Sequence, residues 1–455
     1  MKTEKLNKDS LNIFETMALS VAIMGPSASI SVTVILLSIY SGVSSPLIYL
    51  ISMACVALVS ISVIALNRYF PSSGSVYNFA EKTLGKKAGF ISGWLIIFTY
   101  LMLSVSCAAV AGSYLQDILK GLGIQLHWAL IIIVLVALVW FLAGRNAKAG
   151  TRMLLLLEVI SMSFILLLSI VIIVKTASTT GLSTAPFKPG NNSFSSIASA
   201  VVFGFLAFSG FEGASSLGEE SKNPKKMIPI AVASSIIISG IFYIIVSYAQ
   251  VLGFGPTPEG MEALAATNAP LADLATKYLS NGISVIIMLC VSISFFTTTL
   301  GCVSAGSRIL YTMGRDGMLH KGLFKTHPKH NTPSAGINIM VAAIVLIFAG
   351  CLTLEAIDIG RYAATIGTLA LLLTYLLTSV CALIYFHKSK LWKGIKLILP
   401  VLSILVLGFV FFLNVYPEPE FPMNLFPYIV MLWMVIGIVF SFRNKSNNKK
   451  IETDS

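Results

Sequence analysis

Residues 207–229 read AFSGFEGASSLGEESKNPKKMIP. The stretch begins inside an apolar run that opens near Ile197, yet it carries Gly210, Glu212 and Gly213 close together. A carboxylate within a hydrophobic span costs about 3 kcal/mol on insertion scales. Glycines beside it interrupt the helix whose internal hydrogen bonds make a span tolerable in lipid. So costly a combination points to a working break in a membrane helix.

The composition agrees. Of 455 residues, 56% are hydrophobic and 11% charged, where a soluble domain has about a quarter charged. Mean hydropathy is +0.87. These values exclude a chain of soluble domains and predict an all-α integral membrane protein. Twelve spans are expected, at 13–40, 45–67, 88–116, 127–144, 152–175, 195–217, 228–252, 282–307, 335–353, 362–386, 395–415 and 424–442. Each is long enough to cross a hydrocarbon core of about 30 Å as a helix. The first, third and eighth are long, which predicts tilt or a break. The polar opening MKTEKLNKDS, before so long a first span, is not read as a signal peptide.

Orientation follows from the basic residues. With the N-terminus in the cytoplasm, 26 of the 31 Lys and Arg fall in cytoplasmic segments, as the positive-inside rule requires. Lys120, Lys175, Lys188, Lys277 and Arg361 stay outside. Cytoplasmic tails are expected at 1–12 and 443–455. The net charge of +12 lies in short clusters beside spans, so anionic lipid headgroups are the expected partner and nucleic acid is not. All six cysteines fall in apolar segments and suggest no disulfide framework.

A second interruption matches the first. IMGPSASIS, residues 23–31, puts Gly25 and Pro26 near the middle of span one, and a proline removes a backbone donor and strains the preceding turn. Interrupted helices at corresponding places in two halves are the best sequence pointer to a transporter site. Spans one and six would open two five-helix units, 13–175 and 195–386, of opposite topology, followed by two further helices at 395–442. The half-helix after Gly25 would aim the amides of Ser27, Ala28 and Ser29 at an anionic ligand group. The half-helix ending near Phe208 would offer carbonyls to a cation. An α-amino acid, carrying a carboxylate and an ammonium, suits the pair.

The run GFEGASSLGEESKNPKKMIPIA, residues 210–231, resembles the sixth-helix signature of the amino acid–polyamine–organocation transporters. SRILYTMGRDGMLHKGLFKTHPKHNTP, residues 307–333, is similar to that superfamily's loop after helix eight. The resemblance implies the five-plus-five inverted-repeat (LeuT-like) fold with discontinuous helices one and six, and amino acid uptake or exchange. Two departures stand out. The first break reads Gly25-Pro26-Ser27 where many relatives read Gly-Ser/Thr-Gly. The helix-five lysine of some proton-coupled members has Ser161 in its place.

The expected substrate-binding set is therefore Gly25, Pro26, Ser27, Ala28 and Ser29 with Phe208, Ser209, Gly210 and Phe211, one phenylalanine acting as a gate or packing. Glu212 is expected to carry the coupling proton, or else to be a structural carboxylate. The resemblance implies an inner gate at Glu219, Glu220 and Lys222, extended by Lys225 and Lys226; a solvated charge run is the alternative. Glu158 is expected to pair with a cytoplasmic Arg or to mark an inner proton path. Thr297, Thr298 and Thr299, with freed carbonyls of helix one, offer an alternative sodium site. His327 and His330 have no acid or thiol to complete a metal set. No Walker loop, dinucleotide glycine motif or nucleophile elbow occurs in context, so neither an enzyme nor a cofactor is expected. A polyamine importer is the alternative within the fold, and an amino acid sensor the alternative outside it. A sensor would need a signalling domain, and the tails are short for one. Ser104, Ser106 and Ala109 make a neutral substrate the expected one.

Overall fold

The computed structural model describes residues 6, 8, 10–179, 181–416 and 419–453, with side chains as far as Ser441. Residues 1–5, 7 and 9 of the expected N-terminal tail and 454–455 of the C-terminal one lie outside the described residues. The described chain is all helical. In order it forms α1 (Ile13–Met24), α2 (Pro26–Ser41), α3 (Ser45–Tyr69), α4 (Val76–Leu84), α5 (Lys86–Gly121), α6 (Trp128–Ala143), α7 (Ala147–Thr179) and α8 (Phe194–Leu206). A 3-10 helix, Phe211–Leu217, precedes α9 (Pro224–Phe254), α10 (Pro258–Ala266), α11 (Pro270–Tyr278) and α12 (Asn281–Arg315). The chain ends with α13 (Ser334–Gly350), α14 (Ala356–Lys388), α15 (Ile395–Val415) and α16 (Phe426–Thr453). Among the described residues, nine apolar helical stretches are long enough to cross a membrane, and α6 and α13 are shorter apolar helices.

Both expected interruptions are present, and each has a local cause. Asn12 and Glu15 start α1 with a reciprocal capping box, at 2.8 and 3.0 Å. The helix stops at Gly25, which adopts φ +49° and ψ +66°, the left-handed conformation glycine tolerates. Pro26 then occupies the first position of α2, where its missing N–H is no loss. The second interruption is shaped differently. α8 ends at Leu206, a turn runs to Gly210 at φ +98°, and the chain continues as the 3-10 helix. Of the three long spans, the first is thus broken. The third and eighth, α5 and α12, run unbroken for 36 and 35 residues, about 54 and 52 Å at 1.5 Å per residue. α12 carries Arg308 and Arg315 on its end, so two of the basic residues assigned to a loop ride on a helix.

Helix α5 is the centre of the bundle. Its most apolar window is 89% buried, against 17% for the stretch Met423–Ser441 at the periphery. α12 and α14 pack along α5, brought close where Gly306 meets Tyr100 and Gly367 meets the Thr99 carbonyl. α16 is held to α5 by Trp94 and Trp433, whose rings stack at 4.4 Å while each indole N–H donates to the other's carbonyl. Ile133, Val134, Leu405 and Leu432 point outward, as lipid-facing side chains do.

Candidate functional site

The first break is closed by the protein's own groups. The Ser27 amide donates to Glu158 Oε1 at 3.2 Å, and the Ala28 amide donates to Ser294 Oγ at 3.0 Å. Ser294 Oγ in turn donates to Glu158 Oε1 at 2.9 Å, and Thr297 Oγ1 donates to Oε2 at 3.0 Å. Ser29 N reaches Gly25 O, and Ser29 Oγ caps Met24 O. Glu158 is fully buried. The expectation that it pairs with a cytoplasmic arginine is corrected: Arg152 pairs instead with Glu15 at 2.6 Å. The expectation that the Ser27 and Ala28 amides stand open is corrected as well. At the positive end of α2, Glu158 has taken the Ser27 amide directly and the Ala28 amide through Ser294.

Of the three threonines expected at a sodium site, Thr298 lies against the break. A Cβ on Gly25 would sit 2.2 Å from Thr298 Oγ1. The Thr298 and Thr299 hydroxyls donate to carbonyls of their own helix, Thr298 to Ser294 O and Thr299 to Phe295 O. Thr297, their neighbour, is the one that reaches the carboxylate.

The second break packs on the first. A Cβ on Gly210 would lie 2.2 Å from Ile23 Cγ2, and Ile23 also fills the space beside Gly213 and Gly301. Phe208 is buried edge-on to Tyr243 at 5.0 Å, and Tyr243 OH donates to Ala207 O at 2.7 Å. Phe211 stacks on Tyr375 at 4.8 Å. Its carbonyl accepts Ser20 Oγ at 2.6 Å, while that hydroxyl accepts the Ala214 amide. Ser209 is half-buried. Glu212 is fully buried and accepts from two phenols: Tyr100 OH of α5 at 2.7 Å, and Tyr375 OH of α14. Tyr375 OH also accepts the Gly210 amide at 3.3 Å. Neither Glu158 nor Glu212 has an ion-pair partner among the described residues. Sequence reasoning missed Tyr100, Tyr375 and Ser294. Ser294, Thr297 and Thr298 share one face of α12 at helical spacing, a signal available in the sequence.

At the end of α12, the acidic pair after the 3-10 helix finds two arginines. Glu220 and Arg308 form a buried pair, Nε–Oε2 2.5 Å, with side chains 1% and 5% exposed. Glu219 meets Arg315 Nη1 through both oxygens at 2.8 and 2.9 Å, in a more open setting. Lys222 takes part through its backbone: its N–H donates to Leu11 O, while its side chain is exposed, as are Lys225 and Lys226. Ser10 and Leu11 amides donate to Glu220 O, so the start of the chain is stitched beside Ser221. Next to this network opens a cleft of about 480 Å³ bordered by Tyr69, Ser72, Asn78, Arg315 and Asp316. His327 and His330 stack at 4.8 Å. Loss of solvent at His330, with His327, Arg145 and Lys329 beside it, lowers its imidazole below the usual range.

The chain is 27% identical over 413 residues to the branched-chain amino acid permease BcaP of Bacillus subtilis (strain 168), covering 84% of this chain and 81% of that one. It is 24% identical over 418 residues to the low-affinity putrescine importer PlaP of Escherichia coli (strain K12), covering 88% and 87%. The methylthioribose transporter of Bacillus subtilis (strain 168) is 29% identical over 336 residues, 69% of each chain. A manganese transporter of Eremococcus coleocola, crystallised with an aromatic bis-isothiourea compound, superposes with a TM-score of 0.57 at 12% identity over 99% of both chains. That likeness is one of fold. Residues 19–442 match the amino acid permease family. A multi-pass membrane permease is what such a chain is, and it belongs to the amino acid permease family of the amino acid–polyamine–organocation superfamily.

Proposed function

We propose that this chain is a secondary transporter that carries a neutral α-amino acid across the cell membrane, with the substrate held between the two interrupted helices. The observation that carries the proposal is the packing of the breaks on each other, Ile23 against Gly210. Each break has a buried carboxylate that no basic residue neutralises among the described residues. Counting Ile13–Tyr69 as two crossings and adding α6 and α13 brings the nine apolar stretches to twelve. That number supports two inverted five-helix units, 13–175 and 195–386, with both termini cytoplasmic. Gly25 to Ser29 and Phe208 to Phe211 line the site in this reading, and Phe208 or Phe211 closes it. Glu212 carries the coupling proton, with Tyr100 and Tyr375 ready to donate to its ionised form. Glu219–Arg315 and Glu220–Arg308 close the cytoplasmic end.

A polyamine is the second reading, favoured by the two buried acids and by the putrescine importer among the relatives. A thermal-shift screen of twenty amino acids and three polyamines on the purified protein separates the two. Stabilisation by a neutral amino acid, followed by its uptake into proteoliposomes, is the expected result. Stabilisation by polyamines alone would replace the first reading with the second.

A further inference from the structure

The carboxylate of Glu158 sits where an anion is most favoured in the break, on the first turn of α2. Pro26 has no N–H, Ser27 N is spent on Oε1, and Ala28 N is spent on Ser294 Oγ, which itself donates to Oε1. Ser29 N already has Gly25 O. The amides that would receive a substrate carboxylate are therefore held by Glu158, directly or through one hydroxyl. The remaining partners, Ser294 and Thr297, are hydroxyls, which accept as readily as they donate. They can stay bonded to Glu158 whether or not it carries a proton; the amides only donate, and their bonds are strongest to the ionised acid.

Of the elements packed on α7, α9 brings Tyr243 toward this carboxylate and α12 brings Cys290, both neutral acids. α1 brings Glu15, already paired with Arg152. On α11, Asp273 is engaged by Thr267, and Lys277 by Gly253 O. α2 and α6 contain no charged side chain.

We propose that Glu158 is a built-in stand-in for the substrate's carboxylate. An incoming amino acid displaces it from the Ser27 amide, and from Ser294 which holds the Ala28 amide, and the displaced side chain takes up one proton. The inference rests on the transport reading of this same site. Two carboxylates cannot both stay ionised side by side in a buried site, and α2 offers one N-terminus. One proton is therefore taken up at this break for each substrate bound, resting between Glu158 and the hydroxyls of Ser294 and Thr297, apart from the transmembrane coupling proton assigned to Glu212. Glu212, held by phenols of α5 and α14, is a separate carboxylate on the other break.

The test is proton uptake on binding, read with a pH indicator in weakly buffered solution of the purified full-length protein. L-leucine is expected to take up about one proton per molecule bound, and its apparent Kd to tighten by up to about tenfold for each unit the pH falls. L-leucinamide, which lacks the carboxylate, is expected to bind without proton uptake. Glu158→Gln, a neutral copy of the protonated acid, is expected to bind leucine with no uptake and a flat pH profile. The proposal is overturned if leucine binds the natural protein without a proton, if leucinamide takes up the same proton, or if Glu158→Gln still takes one up. Should Glu158→Gln not fold, the contrast of leucine and leucinamide on the natural protein decides alone. No leucine binding at all overturns the proposed substrate and this inference with it; leucine binding without protons leaves the transport reading standing.

Discussion

Gly210 holds φ +98° with Ile23 Cγ2 where its own Cβ would be. Gly210→Ala therefore combines left-handed backbone strain of about 1–2 kcal/mol with overpacking of about 1–3 kcal/mol. A clear fall in apparent Tm is expected, partly restored by Ile23→Ala, since residues in contact do not act additively. A Tm unchanged by Gly210→Ala would mean that the breaks do not touch there. Glu212 asks a different question. Glu212→Gln keeps the volume of the side chain and an oxygen to receive Tyr100 or Tyr375. In proteoliposomes, uptake driven by a proton gradient is expected to be lost while counterflow exchange persists. A structural Glu212 instead predicts that binding and stability fall together. Sodium coupling predicts uptake that follows a sodium gradient whatever the proton gradient does. Proton-driven uptake left intact by the Gln variant would end the carrier role of Glu212.

Between elements, the sequence was most legible where chemistry is local. Gly25-Pro26 announces the end of one helix and the start of another, because positive φ and a missing N–H belong to those residue types whatever surrounds them. FSGFEG marks the second break through Gly210 at positive φ, with no proline beside it. Nothing local tells that the chain continues from Gly210 as a 3-10 helix. Nor does spacing reveal that Tyr100 and Tyr375, from α5 and α14, converge on Glu212, since contacts between distant helices are set by packing. The partner of Glu220 was hidden for a related reason. Arg308 reads as loop until α12 is seen to run through it to Arg315. That pair ties the segment after the 3-10 helix to α12 in a dry setting, so removing one partner strands a buried charge at a cost of about 3–5 kcal/mol. Arg308→Met is expected to lower stability by that order, and Arg308→Met with Glu220→Leu by much less. Arg315→Met, in the more exposed pair, is expected to cost about 1 kcal/mol or less. Thermal or denaturant unfolding in detergent would measure all three, and equal losses at Arg308 and Arg315 would contradict the difference in burial.

At the scale of the whole molecule, orientation and repeat stand or fall together. Placing 26 of 31 basic residues on one side requires every crossing to be counted correctly, because one missed helix would exchange all the loops that follow it. Two of the crossings in that count, α6 and α13, are only 16 and 17 residues long, at the short end of what spans a bilayer. The loop at Lys188 lies before α8 and the loop at Lys329 after α12, and both side chains are exposed. The assignment puts them on opposite faces. After replacement of the six native cysteines, none of which is in a disulfide, Lys188→Cys is expected to react with an impermeant thiol reagent added to intact cells. Lys329→Cys is expected to react only once the membrane is opened. The inverted pattern would reverse the protein in the membrane while keeping the count. Labelling of both positions from the same side would be more damaging, because it would change the number of crossings between α8 and α12. The two interrupted helices would then no longer open units of opposite topology. With that, the reason for expecting one alternating-access site between α1–α2 and the segment from α8 to the 3-10 helix would be gone.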